Sequence, residues 1–192
     1  DEVIICVPTF DLYRFSTEIC GGTVVNVNRD DNFAVDVKAI KKAISPKTKL
    51  IFLASPNNPT GAVYSQRCLL ELAELAREHD LLILTDEVYE KMIFDGNKHF
   101  SIASRSEFRD STITVNSFSK TYAMTGWRIG YVVANDTITN GIRKIHGYMA
   151  SCAPASAQKA ALEALSGPQD CINEIIGEYQ RRRELIAKGL NN

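Results

Sequence analysis

The sequence has 192 residues, 45% hydrophobic and 23% charged, proportions that belong to a packed globular chain and exclude a disordered, collagen-like or disulfide-stapled one. With 22 Lys and Arg against 23 Asp and Glu the formal net charge is −1, so no global basic field exists to draw in nucleic acid. No run approaches the roughly 18 apolar residues of a membrane helix, and Asp1-Glu2 is the opposite of a signal peptide's basic start, so a cytoplasmic location without membrane partners is expected.

Val3–Val7 opens the chain as a nearly continuous apolar run, the pattern of a strand covered on both faces. Thr23–Val27 is a second β-branched run. Asp36 is placed to cap a helix in which Val37, Ile40 and Ile44 share one face, with Pro46 just beyond its end. Lys49–Ala54 is the next strand. Ser65 then caps a helix whose Leu69, Leu72, Ala73 and Ala76 recur at i, i+3, i+4 and i+7. Leu81–Thr85, Thr112–Val115 and Ile129–Ala134 complete the strands. After Gly167-Pro168, the one evident joint, Ile172, Ile175, Ile176, Tyr179, Ile186 and Leu190 trace a long amphipathic helix from Asp170. Its Arg181-Arg182-Arg183-Glu184 run reads as a solvated face.

Strands alternating with helices specify a three-layer α/β/α sandwich on a mostly parallel sheet with right-handed crossovers. The irregular connection from Val7 to Thr23 and the turn around Gly126 point to one antiparallel strand. Cys6, Cys20, Cys68, Cys152 and Cys171 are irregularly spaced with no C-x-x-C pair, which argues against a zinc site or a disulfide framework. Most of them read as small core hydrophobes, and His79, His99 and His146 read as structural or surface residues. No metal is expected.

In an open α/β sheet, ligands bind beyond the carboxyl ends of the strands. Pro8-Thr9-Phe10 follows the first run, Ser55-Pro56-Asn57-Asn58-Pro59-Thr60-Gly61 the third, Asp86-Glu87-Val88-Tyr89 the fourth and Asn116-Ser117-Phe118-Ser119-Lys120 the fifth. An aromatic, an amide, a carboxylate with a phenol, and a hydroxyl-flanked lysine therefore converge on one edge. Packing alone does not call for that set. A dinucleotide or P-loop site is excluded, because neither G-x-G-x-x-G nor G-x-x-x-x-G-K-[ST] occurs.

Together with Met124-Thr125-Gly126-Trp127-Arg128-Ile129-Gly130-Tyr131, these stretches resemble, in order and over essentially the whole chain, the signatures of class I/II aminotransferases. Those are fold-type I enzymes that depend on pyridoxal 5'-phosphate. The Met-Thr-Gly-Trp-Arg form is similar to the aspartate/aromatic branch. The resemblance implies an aminotransferase large domain, transfer of an amino group between an amino acid and a 2-oxo acid, and a homodimer in the full-length protein. It implies that Lys120 holds the cofactor aldehyde as a Schiff base and moves the substrate's Cα proton, roles that suit a lysine whose pKa desolvation and neighbouring cations lower. Asp86 matches the carboxylate that keeps the pyridine nitrogen protonated. Asn58 and Tyr89 match the groups that bond the phenolic oxygen, with Asn58-Pro59 implied to be cis. Phe10 stands where an aromatic stacks on the cofactor face, and Arg128 with Ser117 and Ser119 matches the phosphate donors. C–S lyases and aminotransferase-like modules of transcriptional regulators carry similar sequences and stay open as alternatives.

The family also uses a Gly/Ser phosphate loop at a helix N-terminus, a substrate-carboxylate arginine in a smaller C-terminal domain, and a tyrosine of the neighbouring subunit. This sequence shows no match for them; Gly21-Gly22 does not fit the loop. The expectation is a piece of a longer chain: residues 1–166 as the cofactor-binding large domain, incomplete at its N-terminal side, and residues 167–192 as a long helix leading toward the small domain. Ile129–Ala134 is then an exposed edge. Such a piece is expected to keep a recognisable cofactor site with reduced affinity and little or no turnover.

Overall fold

β-branched runs build the sheet in this computed structural model, which describes residues 1–191; Asn192, the last residue of the segment 167–192, lies outside the described residues. The strands are β1 (Glu2–Val7), β2 (Thr23–Asn28), β3 (Thr48–Ala54), β4 (Leu82–Asp86), β5 (Thr112–Ser117) and β6 (Gly130–Val133). They form one six-stranded sheet in the order β2-β1-β3-β4-β5-β6. The pairs from β2 to β5 are parallel, and β6 runs antiparallel to β5. The antiparallel strand expected from the sequence is therefore the last one.

The helices are α1 (Leu12–Ile19), α2 (Val37–Ala43), α3 (Gln66–Glu78), α4 (Phe118–Thr121), α5 (Asp136–Met149), α6 (Ala155–Ser166) and α7 (Asp170–Leu190). Asp36 caps α2 by accepting from the N–H groups of Lys38 and Ala39, and Ser65 caps α3 by accepting from Cys68 N. Strand alternation divides the interior: Ile4 and Cys6 face one cluster, with Ile51, Ile83, Ile40 of α2 and Leu69 and Leu72 of α3, while Ile5 faces another with Tyr13 of α1 and Ala54. Helices thus cover both faces, giving three layers. Among the described residues no helix is long and apolar enough to cross a membrane.

The cysteines depart from expectation. Cys6 is a core residue whose thiol burial pushes up to about 11, and Cys68 is half-buried, but Cys20, Cys152 and Cys171 are exposed. Those three sit just past α1, in the connection before α6 and in the first turn of α7, where the chain faces solvent.

At the outer edge, Tyr131, Val132 and Val133 of β6 are 39%, 40% and 49% exposed. Gly130 starts this strand opposite Ser117, and a Cβ there would lie 2.6 Å from the carbonyl oxygen of Asn116. Because the obstacle is backbone, Gly130→Ala is expected to cost about 1–3 kcal/mol through overpacking. A lowered urea midpoint at constant slope is the expected readout, and an unchanged midpoint would contradict this close approach.

Candidate functional site

Parallel pairing from β1 to β5 sends the segments after β1, β3, β4 and β5 out at one edge of the sheet. β6 runs the opposite way and begins at that same edge, which brings Arg128 level with the end of β5. One antiparallel strand is therefore what lets a residue from the last strand's approach join the other four loops.

Asp86 ends β4. Its Oδ2 accepts a hydrogen bond from the Tyr13 hydroxyl at 2.8 Å and its Oδ1 accepts from Val88 N at 3.0 Å. Tyr13, buried on α1, stacks on Phe52 with ring centroids 4.0 Å apart and meets Phe10 edge-on at 5.8 Å. Burial, and next the nearby Asp86 carboxylate, raises the Tyr13 phenol far above its ordinary range, so it remains a donor. Phe10 is 44% exposed, a ring with an open face and not a core residue.

In the Ser55–Gly61 turn, the two asparagines have separate tasks. Asn57 is buried: its Nδ2 donates to Thr9 Oγ1 at 2.8 Å and its Oδ1 accepts from Thr60 Oγ1 at 2.8 Å. This ties the loop after β3 to the loop after β1. Asn58 is only half-buried and is followed by a cis bond to Pro59. Gly61, at φ 72°, lets the turn close with its N–H on Asn57 O at 2.8 Å. Asn58 and Tyr89 line one cavity of about 560 Å³ with Phe33, Tyr179 and Arg183.

β5 passes directly into α4. Ser117 accepts from Ser119 N at 3.1 Å and donates its hydroxyl to Ile129 O at 3.2 Å, fixing the turn that carries Lys120. Lys120 Nζ lies 5.5 Å from the Tyr89 ring centroid. Arg128 is exposed, adopts a left-handed backbone (φ 52°, ψ 50°) and donates from Nη1 to Thr125 O at 3.0 Å. For a non-glycine residue that conformation costs about 1–3 kcal/mol, a strain that recurs at functional sites. The structure thus links Lys120 with Tyr89, Tyr89 with Asn58, and Phe10 through Tyr13 with Asp86. Ser117 ends β5, Ser119 lies in α4 and Arg128 comes just before β6, its guanidinium on Thr125 O.

A family model described as aminotransferase class I and II matches residues 1–192. The chain belongs to this family. It is similar, at 44% identity over 100% of its length, to the probable aspartate aminotransferase of Methanocaldococcus jannaschii, and covers 52% of that protein. The aspartate aminotransferase of Pyrococcus abyssi is 43% identical, with 100% of this chain and 50% of that one covered. Among solved structures, the aromatic aminotransferase from Pyrococcus horikoshii OT3 superposes with a TM-score of 0.95 at 42% identity, covering 100% of this chain and 52% of that one. The chain spans about half the length of the curated relatives it matches.

Several residues of this aminotransferase chain were not legible as site residues. Tyr13 is one. Arg29 is another: buried, it donates from Nε to Pro8 O at 3.0 Å and from Nη1 to Phe33 O at 3.3 Å, with its guanidinium 5.1 Å from the Tyr64 ring centroid. It steadies the turn that presents Phe10. Arg183 lies on the solvated face read from the sequence, yet has a partner beyond its own helix. Arg181 and Arg182 do bond Glu178 on the helix surface, but Arg183 crosses to Asp95 with bonds of 2.9 and 2.5 Å, its guanidinium 5.3 Å from the Phe94 ring centroid.

Hydrogen bonding from Arg183 holds the Asp95 carboxyl below its ordinary value of 3.8. A depressed folded-state pKa means the contact's contribution is present above the ordinary value and is lost as pH falls through the lowered one. The pair is solvent-exposed and so contributes little: only a small, local fall in hydrogen-exchange protection around Arg183 is expected as pH drops below about 4, and high salt is expected to reproduce part of it. Protection that stays constant across that range would contradict the tether.

Proposed function

We propose that this chain is the cofactor-binding part of a pyridoxal-phosphate-dependent aminotransferase that moves an amino group between an amino acid and a 2-oxo acid. The observation that carries the reading is Lys120 Nζ 5.5 Å from the Tyr89 ring centroid, on the sheet edge where Asp86 ends its strand. Residues 1–166 form the large domain, and residues 167–192 lead toward a smaller domain of a cytoplasmic homodimer.

The donor set fits the cofactor group by group. Lys120 offers an amine to an aldehyde, Asp86 a carboxylate to a ring nitrogen, and Asn58 and Tyr89 an amide and a phenol to a phenolic oxygen. Phe10 offers an exposed ring face. Ser117, Ser119 and the planar fork of Arg128 suit a phosphate dianion. When bound, the cofactor supplies an electron sink for the pair left at the substrate's Cα.

The chain's own residues do the rest. Lys120 Nζ takes the Cα proton as a base and returns it as an acid. Asp86 would offer its negative charge to a protonated ring nitrogen, and Tyr13, donating to Oδ2 at 2.8 Å, leaves Oδ1 as the other carboxylate edge. Asn58 and Tyr89 would donate to the ring oxygen, and Phe10 would cover one face of the ring.

Titrating the full-length protein with pyridoxal phosphate and then adding aspartate tests this. The expected result is a protein-bound visible band that aspartate bleaches with stoichiometric release of a 2-oxo acid. A band that forms without product release from aspartate or from an aromatic amino acid would overturn aminotransfer in favour of a ligand-sensing module.

A further inference from the structure

We infer that Glu87, His99 and Ser101 form a buried strut that positions Asp86 and Tyr89, an inference that rests on the reading of those two residues as cofactor contacts. Glu87 is 3% exposed, the only carboxylate residue so buried among the described residues. Its Oε2 meets His99 Nε2 at 2.9 Å and its Oε1 accepts from Ser101 Oγ at 2.9 Å. Taking a carboxylate out of water is costly unless it is paired and hydrogen-bonded. An apolar residue at this position would avoid that cost, so the retained charge points to a demand for geometry.

The backbone explains which geometry. Successive residues at a strand end point to opposite sides, so a side chain anchored inward at Glu87 turns Asp86 toward Tyr13 on the other side. The Glu87 N–H stays on Val115 O at 2.9 Å, and its own carbonyl accepts from Glu90 N at 2.9 Å, starting the turn that presents Tyr89. Both anchors come from one short stretch that runs into the turn at Ile102–Ser104, where Ile102 is 1% exposed in the main core. The strut therefore ties the segment bearing Asp86 and Tyr89 to the main buried core. Glu90 belongs to the same cluster, its carboxylate within 4.8 Å of the Glu87 and His99 polar atoms, and it also reaches Lys91 at 3.9 Å. His99 Nδ1 is buried without a partner among the described residues, so the ring's hydrogen bond in this cluster is the one to Glu87.

The test compares His99→Phe, His99→Gln and Ser101→Ala in the full-length protein, with pyridoxal phosphate itself as probe. Read out are the cofactor's dissociation constant, the pH midpoint of its bound visible band, and the melting temperature. His99→Phe is expected to weaken cofactor capture by about 10–100-fold, the scale of a small misplacement from a residue outside the chemistry, and to move the pH midpoint by about one unit. His99→Gln keeps a donor toward Glu87 and is expected to restore most of both. A folded His99→Phe protein with native affinity and midpoint overturns the strut, whatever its melting temperature. Should His99→Phe fail to fold, Ser101→Ala decides by the same two readouts, native values again overturning it. Absence of any band in the unsubstituted protein would instead overturn the cofactor assignment on which the strut rests.

Discussion

Lys120→Ala is expected to reduce aminotransfer by the full-length protein by about 10⁴-fold or more, since it removes a nucleophile and an acid–base group at once. Lys120→Arg is expected to be equally inactive. Arginine keeps the charge near the Tyr89 ring, but its guanidinium is protonated at every accessible pH and can neither condense with an aldehyde nor accept a Cα proton. The pair of variants separates chemistry from electrostatics: if Lys120 served only as a cation 5.5 Å from Tyr89, arginine would preserve function. Steady-state release of 2-oxo acid measures it, and activity within tenfold of the unsubstituted protein in either variant would contradict the role.

Asp86→Asn is the second large effect. An opposite charge at close range moves a partner's pKa by about 1–3 units, so removing the carboxylate is expected to cost about 10–10³-fold in kcat/KM. The substitution is nearly isosteric, and the amide oxygen can still accept from Tyr13, which bonds Oδ2 at 2.8 Å. Loss of activity with an unchanged melt would therefore report the charge and not the packing. Asp86→Glu, which keeps the charge at the wrong reach, is expected to fall between the two. Activity of Asp86→Asn equal to that of the native residue would contradict the pairing of Asp86 with a protonated ring nitrogen.

The inner strands β1, β3, β4 and β5 were legible as apolar runs covered on both faces, the edge strands β2 and β6 only as β-branched or apolar stretches, and the observed ends lie within one or two residues of those read from Val3–Val7 to Ile129–Ala134. The caps at Asp36 and Ser65 were legible because capping is local chemistry. α1 was not. Asp11 makes no side-chain cap, and of its eight residues only Tyr13 and Thr17 are buried, so neither a start signal nor a full apolar stripe exists. α5 was missed for a related reason: Asn135 caps it, but none of its residues is buried.

At the site, the order of the loops after successive strands carried the information, because parallel topology turns sequence order into spatial convergence. The partnerships did not show. Tyr13 reaches Asp86 across 73 residues and Arg183 reaches Asp95 across 88, separations that leave no local periodicity. His99 read as a structural or surface residue because no catalytic motif surrounds it, and only the fold reveals that it bonds the residue next to Asp86.

The most direct measurement is to reduce the complex of the full-length protein with pyridoxal phosphate using borohydride, digest it, and map the modified peptide by mass spectrometry. A single pyridoxyl-phosphate adduct on Lys120 is the expected result. A specific adduct on any other lysine, or native-level labelling that survives Lys120→Ala, would contradict the assignment of this sheet edge as the cofactor site.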